Sequence, residues 1–367
     1  MKILIKIAVV VLNVIYIPFK MCKTKNLVTM ISRESDEIPV DFQLLKDEIN
    51  RRDSSIDVVV LCKKIGGGIG EKIKYAFEIL KQMKYIAQSK VVVIDTYCIP
   101  VSVLKHKETI KFVQIWHSCA AIKKFGYQTI GKSSGSSKVV AEGMKMHCNY
   151  DYVTAPSIAT GKLFAEGFNV SEDKIKIIGL PRIDYIKTGG EIPKETFVEK
   201  YPQLLEKENI LYAPTFRRGK GISLQGVVDA VDFNKYNLVV KLHPLDKADI
   251  EGELTGVILD TEFSTFEWMK MCGKVISDYS AVGLESTLQD KEVYFYLYDE
   301  EEYCQTTGMN MDFSQEEVAV YVARTPDELK DVLNVEYDKD KMRIFRDKYF
   351  QVENCTATMA EFLMNLM

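Results

Sequence analysis

The sequence is poor in the residues from which metal centres and disulfide scaffolds are built. Histidine occurs four times in 367 residues. The eight cysteines (Cys22, Cys62, Cys98, Cys119, Cys148, Cys272, Cys304 and Cys355) are scattered, with no C-x-x-C pair and no Cys/His group at ligand spacing. That pattern argues against a zinc site and a redox dithiol. A chain this long has enough core to fold without disulfide staples, so the thiols read as reduced. Asp338 and Asp340 form a D-x-D pair, but in a charge-rich helical stretch that reads as a solvated face. No tightly bound metal or cofactor is expected.

Charge of one sign is lacking too. The 48 Lys and Arg against 52 Asp and Glu leave a net charge of −4 and a pI near 5.8. A general nucleic-acid binder carries a basic excess, so no nucleic-acid partner is expected. Internal repeats, low-complexity segments and a disordered tail are absent. The 47% hydrophobic and 27% charged content is that of an ordinary folded protein. The length exceeds what a single hydrophobic core usually serves, which favours two domains.

Residues 1–25 contain no acid. Five lysines (Lys2, Lys6, Lys20, Lys23 and Lys25) flank an apolar stretch from Ile7 to Phe19 broken only by Asn13. No small-x-small cleavage site follows, as a secretory signal would need. As a helix, Ile3 to Phe19 covers about 25 Å, short of a hydrocarbon core of about 30 Å. The remaining readings are a monotopic anchor, with lysines among anionic head groups, and a first helix buried in the N-terminal domain.

Beyond it, strand-length apolar runs alternate with helical spacing. Leu27–Ser32, Asp57–Cys62 and Lys90–Thr96 are continuous apolar runs of the kind buried on both faces of a parallel sheet. Asp41–Arg51 and Gly70–Gln88 between them carry helical periodicity. The rhythm resumes at Lys174–Gly179, Ile210–Ala213, Leu238–Leu242, Val257–Leu259, Lys274–Ser277 and Val293–Tyr296. The polar stretch 187–199, with Gly189, Gly190 and Pro193, is the best linker candidate. The expected division is 1–25 as a membrane-associating segment, 26–190 as one doubly wound α/β domain and 191–367 as a second. In such sheets ligands sit beyond the carboxyl ends of the strands, which is where chemistry is sought.

Two histidines stand there. His117 follows Phe112–Trp116, and His243 follows Leu238–Leu242. A histidine so placed serves as a general base, as a donor to phosphate, or as a satisfied structural residue. His106 and His147 read as structural. In Ile276–Glu285 a strand end, a polar turn and a helix start follow one another. Ser280 falls at an N-cap with exposed amides behind it, a phosphate site or only a well-capped helix. Asp278 lies in the same turn, and Glu285 projects about one and a half turns on, near a bound ribose. Arg182 and Arg217 also follow predicted strands, where a planar guanidinium suits a phosphate. The glycines of 66–70 miss the dinucleotide fingerprint because position 71 is Glu.

In order along the chain, QIWHSCAAIKKFG, NYDYVTAPS, IIGLPRIDYI, ILYAPTFRR, VVKLHP, VISDYSAVGLES, YFYLYDEEEY and TTGMNMDF resemble the CDP-glycerol glycerophosphotransferase family, which primes and polymerises wall teichoic acid. These segments span about residues 110–315. The resemblance implies a GT-B-like fold of two Rossmann-like domains facing across a cleft, with the CDP moiety held by the C-terminal domain and the acceptor on the N-terminal side. His117 then takes the position of the catalytic base and His243 that of a second essential histidine near the donor pyrophosphate. Arg182, Arg217, Asp278, Ser280 and Glu285 contribute to donor binding. The family's W-H-G-T-P is here WHSCA (116–120), and its paired serines are Ser280 and Ala281.

The implied activity moves a polyol phosphate, glycerol phosphate in the first instance, from CDP-glycerol to an undecaprenyl-linked or other membrane-held acceptor. It would work at the cytoplasmic face of the membrane, in teichoic acid or capsule synthesis. CDP-ribitol as donor, a GT-B glycosyltransferase or nucleotide-sugar epimerase, and an inactive membrane-associated nucleotide-binding protein are the alternatives.

Overall fold

The computed structural model describes residues 2–66, 68–190, 192–215, 217, 224–242 and 256–367. They form two compact units. The first comprises residues 1–119, 124–184 and 350–367, and the second residues 120–123 and 185–349.

The first unit is built on six parallel strands: β1 (Leu27–Ser32), β2 (Asp57–Cys62), β3 (Val91–Ile94), β4 (Lys111–Gln114), β5 (Tyr152–Ala155) and β6 (Ile175–Ile177), in the order β2-β1-β3-β4-β5-β6. Every residue of β1 and β3 is buried, as their unbroken apolar runs require, whereas Asp57–Cys62, expected from the same signal to be buried on both faces, is an edge strand and only partly buried. Alternate side chains of the central strands (Val28 and Met30, Val91 and Val93, Val113 and Ile115) share one core with Phe42, Leu45 and Ile49 of the helix Val40–Arg52. Those helical positions recur at i, i+3 and i+7, a single apolar stripe. Burying each such side chain stabilises the unit by about 1.5–3 kcal/mol.

The same core takes in Met359, Ala360 and Leu363 of the C-terminal helix Cys355–Asn365. This departs from a linear division at residue 190, because the last 18 residues (350–367) belong to the first unit. Asp184 ties the helix down, its two carboxylate oxygens accepting from the Cys355 and Thr356 N–H groups at 3.0 and 2.8 Å. Gly179, at φ +72°, lies so close beneath that a Cβ there would stand 2.6 Å from Cys355 Sγ.

The N-terminal apolar segment is a helix, Lys2–Lys20. It is docked on the first unit by the residue that interrupts it. Asn13 Nδ2 donates to Val103 O at 3.0 Å, and Asn13 Oδ1 accepts from Lys105 N at 2.9 Å. Tyr16, fully buried, bonds its hydroxyl to His106 Nδ1 at 3.1 Å. The opposite face (Ile3, Leu4, Ile7, Val10, Val14 and Ile17) is exposed.

The second unit also has six parallel strands: β7 (Glu208–Ala213), β8 (Tyr236–Val240), β9 (Val257–Leu259), β10 (Lys274–Ser277), β11 (Glu292–Tyr296) and β12 (Val322–Ala323). Their order, β12-β11-β10-β7-β8-β9, is the Rossmann order. Each sheet has a switch point where successive connections leave in opposite directions, between β1 and β3 in the first and between β7 and β10 in the second. The stretch read as a linker, 187–199, holds the end of one helix (Arg182–Thr188), glycines at 189 and 190 with φ +75° and +72°, and the start of the next (Lys194–Lys200). Asp338 caps the helix Lys339–Tyr349, its Oδ1 accepting from the Asp340 and Lys341 N–H groups.

Candidate active site

At the carboxyl edge of the first sheet, parallel register lines up the residues after β1, β2 and β3 with the turn after β4. Ser32 pairs with Cys62 across β1 and β2, and Ile31 with Ile94 across β1 and β3, so Asp95 comes next in the row beside Ser32. His117 stands three residues beyond the end of β4.

The turn that presents His117 is fixed by a buried glutamine. Gln114 donates from Nε2 to Thr96 O (3.1 Å) and to Tyr150 Oη (3.2 Å), and its Oε1 accepts from Trp116 N at 2.8 Å. Trp116 adopts φ +61°, a strained value for a bulky residue. Its ring is held by Phe125 (centroids 5.0 Å) and Phe168 (5.1 Å) and lies 4.0 Å from the His117 ring. His117 Nδ1 is 3.1 Å from Asp95 O. A carbonyl oxygen only accepts, so Nδ1 carries the proton, and in the neutral ring the lone pair is on Nε2.

Asp95 itself is 2% exposed, and its Oδ1 has no hydrogen-bond partner. Burial pushes its pKa up to about 7, and the charges of Glu34 and Asp41 add to the rise. Burial likewise raises the Cys62 thiol to about 11, with Asp95 the first of the nearby charges adding to it. Arg33, after β1, donates to Tyr97 O and lies over the Tyr75 and Tyr97 rings at 5.9 and 5.7 Å.

Arg182 lies in the same unit. Asp41, 1% exposed in the first turn of the helix Val40–Arg52, accepts from the Arg182 backbone N–H at 2.8 Å and from Nε at 2.7 Å, with Nη2 at 2.5 Å. Arg182 Nη1 donates to His117 O at 2.6 Å. The structure therefore brings Arg182 and His117 together through the His117 main chain.

At the switch point of the second sheet, Asp278 is fully buried at the end of β10. Its Oδ1 accepts from Thr215 N, and its Oδ2 from Arg217 Nη1, each at 2.7 Å. Arg217 also donates to Thr215 O and, through Nε and Nη2, to both oxygens of Asp299 at 2.8 Å. Tyr279, Tyr298 and Tyr303 surround the guanidinium at 4.9–5.9 Å. Burial opposes the Arg217 charge, but the Asp299 hydrogen bonds and the Asp278 charge prevail and raise its pKa. Arg217 and Asp278 are thus partners in one buried network. Ser280 occupies the expected N-cap of the helix Ala281–Ser286, its Oγ accepting from Val282 N at 3.4 Å. Glu285 is buried on that helix, 3% exposed.

After β8, Lys241 pairs with Asp260 at 3.2 Å, and Asp260 also accepts from Tyr201, Trp268 and the Phe263 N–H. Burial works against the Asp260 charge, but these bonds outweigh it and hold its pKa down at about 2. His243 lies outside the described residues. Among the lysines of the N-terminal segment, Lys2, Lys6, Lys23 and Lys25 are exposed and Lys20 is partly buried.

Sequence reasoning missed Asp41, Asp95, Gln114 and Asp299. Asp95 ends the run KVVVIDT, so the strand-end rule that found His117 reaches it as well. Nothing in spacing marks Asp41 or Asp299, whose partners lie 141 and 82 residues away.

Two Rossmann-like units, each with polar groups gathered at the carboxyl edge of its sheet, define a GT-B-like fold. The match to a solved structure of the wall teichoic acid polymerase TagF agrees, with TM-score 0.72 at 16% identity over 99% of this chain and 96% of that one. A family model described as CDP-Glycerol:Poly(glycerophosphate) glycerophosphotransferase matches residues 14–360, and the chain belongs to that family. It is similar to the teichoic acid ribitol-phosphate primase of Bacillus spizizenii, 31% identical over 75% of this chain and 74% of that one. It is also similar to the teichoic acid glycerol-phosphate primase of Bacillus subtilis, 25% identical over 80% and 78%.

Proposed function

We propose that this enzyme transfers glycerol phosphate from CDP-glycerol to a hydroxyl of a lipid-linked acceptor in the synthesis of teichoic acid or a related surface polymer. The acceptor oxygen attacks the β-phosphorus and forms the new phosphodiester bond. The bond to the α-phosphate oxygen breaks, and CMP leaves with the electron pair. His117 takes the hydroxyl proton at Nε2. The observation that carries this role is the Nδ1 contact with Asp95 O, which fixes the tautomer that a base acting through Nε2 requires.

Around the donor, the amides behind Ser280 and the second histidine, His243, would neutralise the pyrophosphate. Arg217, committed to Asp278 and Asp299, braces the turn that carries Ser280. Asp278 and Glu285 complete that wall as buried supports.

Membrane association is supported by the exposed apolar face of the helix Lys2–Lys20 and its lysines. The helix Ile69–Gln88, which packs against it, adds exposed Ile73, Phe77 and Leu80 among Lys72, Lys74, Lys81 and Lys84. Such a surface suits the interface of an anionic bilayer, and we place the enzyme there, on the cytoplasmic side.

The test is CMP release by purified enzyme given CDP-glycerol or CDP-ribitol with a lipid-linked disaccharide acceptor. Turnover with CDP-glycerol, lost in a folded His117→Ala variant, is expected. Near-normal release by that variant removes His117 as the base, and turnover with CDP-ribitol alone reassigns the donor.

A further inference from the structure

Four hydrogen bonds join Asp41, Arg182, His117 and Asp95 into one chain of contacts. Three of them hold Arg182 to Asp41 or to the His117 carbonyl: the backbone N–H and Nε on Asp41, and Nη1 on His117 O. The fourth holds the His117 ring through Nδ1 to the Asp95 carbonyl. The histidine is therefore gripped at its main chain by a guanidinium and at its ring by a peptide oxygen.

The guanidinium gives up its Nε/Nη2 edge, the edge that would grasp a phosphate in bidentate fashion, to a carboxylate 1% exposed. Asp41 neutralises it at the same time. Its Nη1 is directed at a carbonyl whose position sets where the His117 side chain starts. Trp116, at φ +61°, makes that placement costly, so the turn needs an external hold.

We infer that the Asp41–Arg182 pair is a positioning device for the catalytic histidine and not a ligand of the donor phosphates. This rests on His117 being the base, as proposed above. The planar fork matters because it spans a carboxylate and a carbonyl at once, which a lysine ammonium on a single stem does not do with fixed geometry.

Two measurements on the whole 367-residue chain test it. In the first, kinetics of Arg182→Lys and of the charge-neutral double variant Asp41→Asn/Arg182→Gln are compared with wild type. The double variant avoids leaving a buried charge without its partner. A misplaced base lowers kcat by on the order of 10- to 100-fold, with KM for CDP-glycerol within about twofold, because uniform donor binding is untouched. In the second, imidazole ¹⁵N–¹H spectra, with the His117 signals assigned by their loss in His117→Gln, report the tautomer without any turnover. Wild type shows His117 protonated at Nδ1, and the double variant shows a mixture with the Nε2–H form.

A tenfold or greater rise in KM for CDP-glycerol with kcat unchanged would make Arg182 a donor ligand and overturn the inference. An unaltered His117 spectrum together with unaltered kcat would overturn it as well. If the enzyme shows no transferase activity while the tautomer still shifts in the double variant, the hold on His117 stands and the functional reading alone fails.

Discussion

Replacing Asp95 by asparagine should make the first unit more stable, and more so as pH rises. The carboxyl is 2% exposed, its Oδ1 lacks a partner, and burial lifts its pKa from 3.8 to about 7. The folded state therefore holds the proton up to about pH 7, whereas the unfolded chain releases it above 3.8. Where the folded state binds the extra proton, stability falls with rising pH. Asp95 thus contributes its stability at acid pH and loses it progressively as pH climbs through 7. At about 1.36 kcal/mol per pH unit of displacement, wild type loses about 2.5 kcal/mol relative to Asp95→Asn between pH 5 and pH 8. The amide is nearly isosteric and does not titrate, so all other groups cancel in the difference. Urea unfolding of both proteins at pH 5, 6, 7 and 8 measures it. A difference that stays flat across that range would mean that Asp95 is ionised in the folded protein, and the description of its surroundings would be wrong.

The acid limb of stability should have the opposite sign: His106 and His147 are held neutral by burial, with pKa values lowered from 6.5 to about 4 and about 3. Unfolding free energy should therefore decline as pH falls from about 6.5 toward 4, and a His147→Phe variant should show a shallower decline in urea titrations. Arg217→Met should destabilise the second unit by about 3–5 kcal/mol, because it strands Asp278, 0% exposed, without its counter-charge; denaturant midpoints check this, and a loss below about 1 kcal/mol would contradict the network. Phe77 and Ile73 are 69% and 55% exposed, so Ile73→Asp/Phe77→Asp should leave the fold intact. The double change should weaken co-sedimentation with anionic phospholipid vesicles by at least about tenfold, since each inserted side chain contributes about 1.5–3 kcal/mol; binding equal to wild type would remove this helix from the membrane-contact face.

The strands were the most legible feature. Continuous apolar runs such as DVVVLC and the VVVI core of KVVVIDT are legible as strands and form β2 and β3, but the run does not tell a central strand from an edge one: β3 is buried on both faces and β2 only partly. Tyr152–Ala155 falls within the segment NYDYVTAPS, but four residues flanked by polar turns carry too little periodicity to mark β5. The two-residue β12 gave no signal at all. Placement of the C-terminal helix was out of reach for a different reason. Its partners Phe42, Leu45 and Ile49 lie about 300 residues away, and the shared core and the Asp184 bonds reveal where it packs.

At the site, types and strand-end positions were readable, but partners were not. His117 and Ser280 could be located by the rule that chemistry follows strands. Arg182 and Arg217 were marked by the same rule as phosphate ligands, but what their guanidinium groups touch depends on Asp41, Asp278 and Asp299. Two of those carboxylates, Asp41 and Asp299, carry no local signature. A guanidinium looks alike in sequence whether it faces a phosphate or a buried carboxylate. Asn13 shows the converse, since a polar interruption in an apolar run proved to be the point of docking.

The identity of the leaving group tests the central claim most directly. Incubation of the enzyme with CDP-glycerol and a lipid-linked acceptor, with the nucleotide product and the acceptor mass both measured, should give CMP in equal amount to the glycerol phosphate units gained by the acceptor. Release of a nucleoside diphosphate from a sugar nucleotide, with a hexose added to the acceptor and no CMP formed from CDP-glycerol, would contradict it.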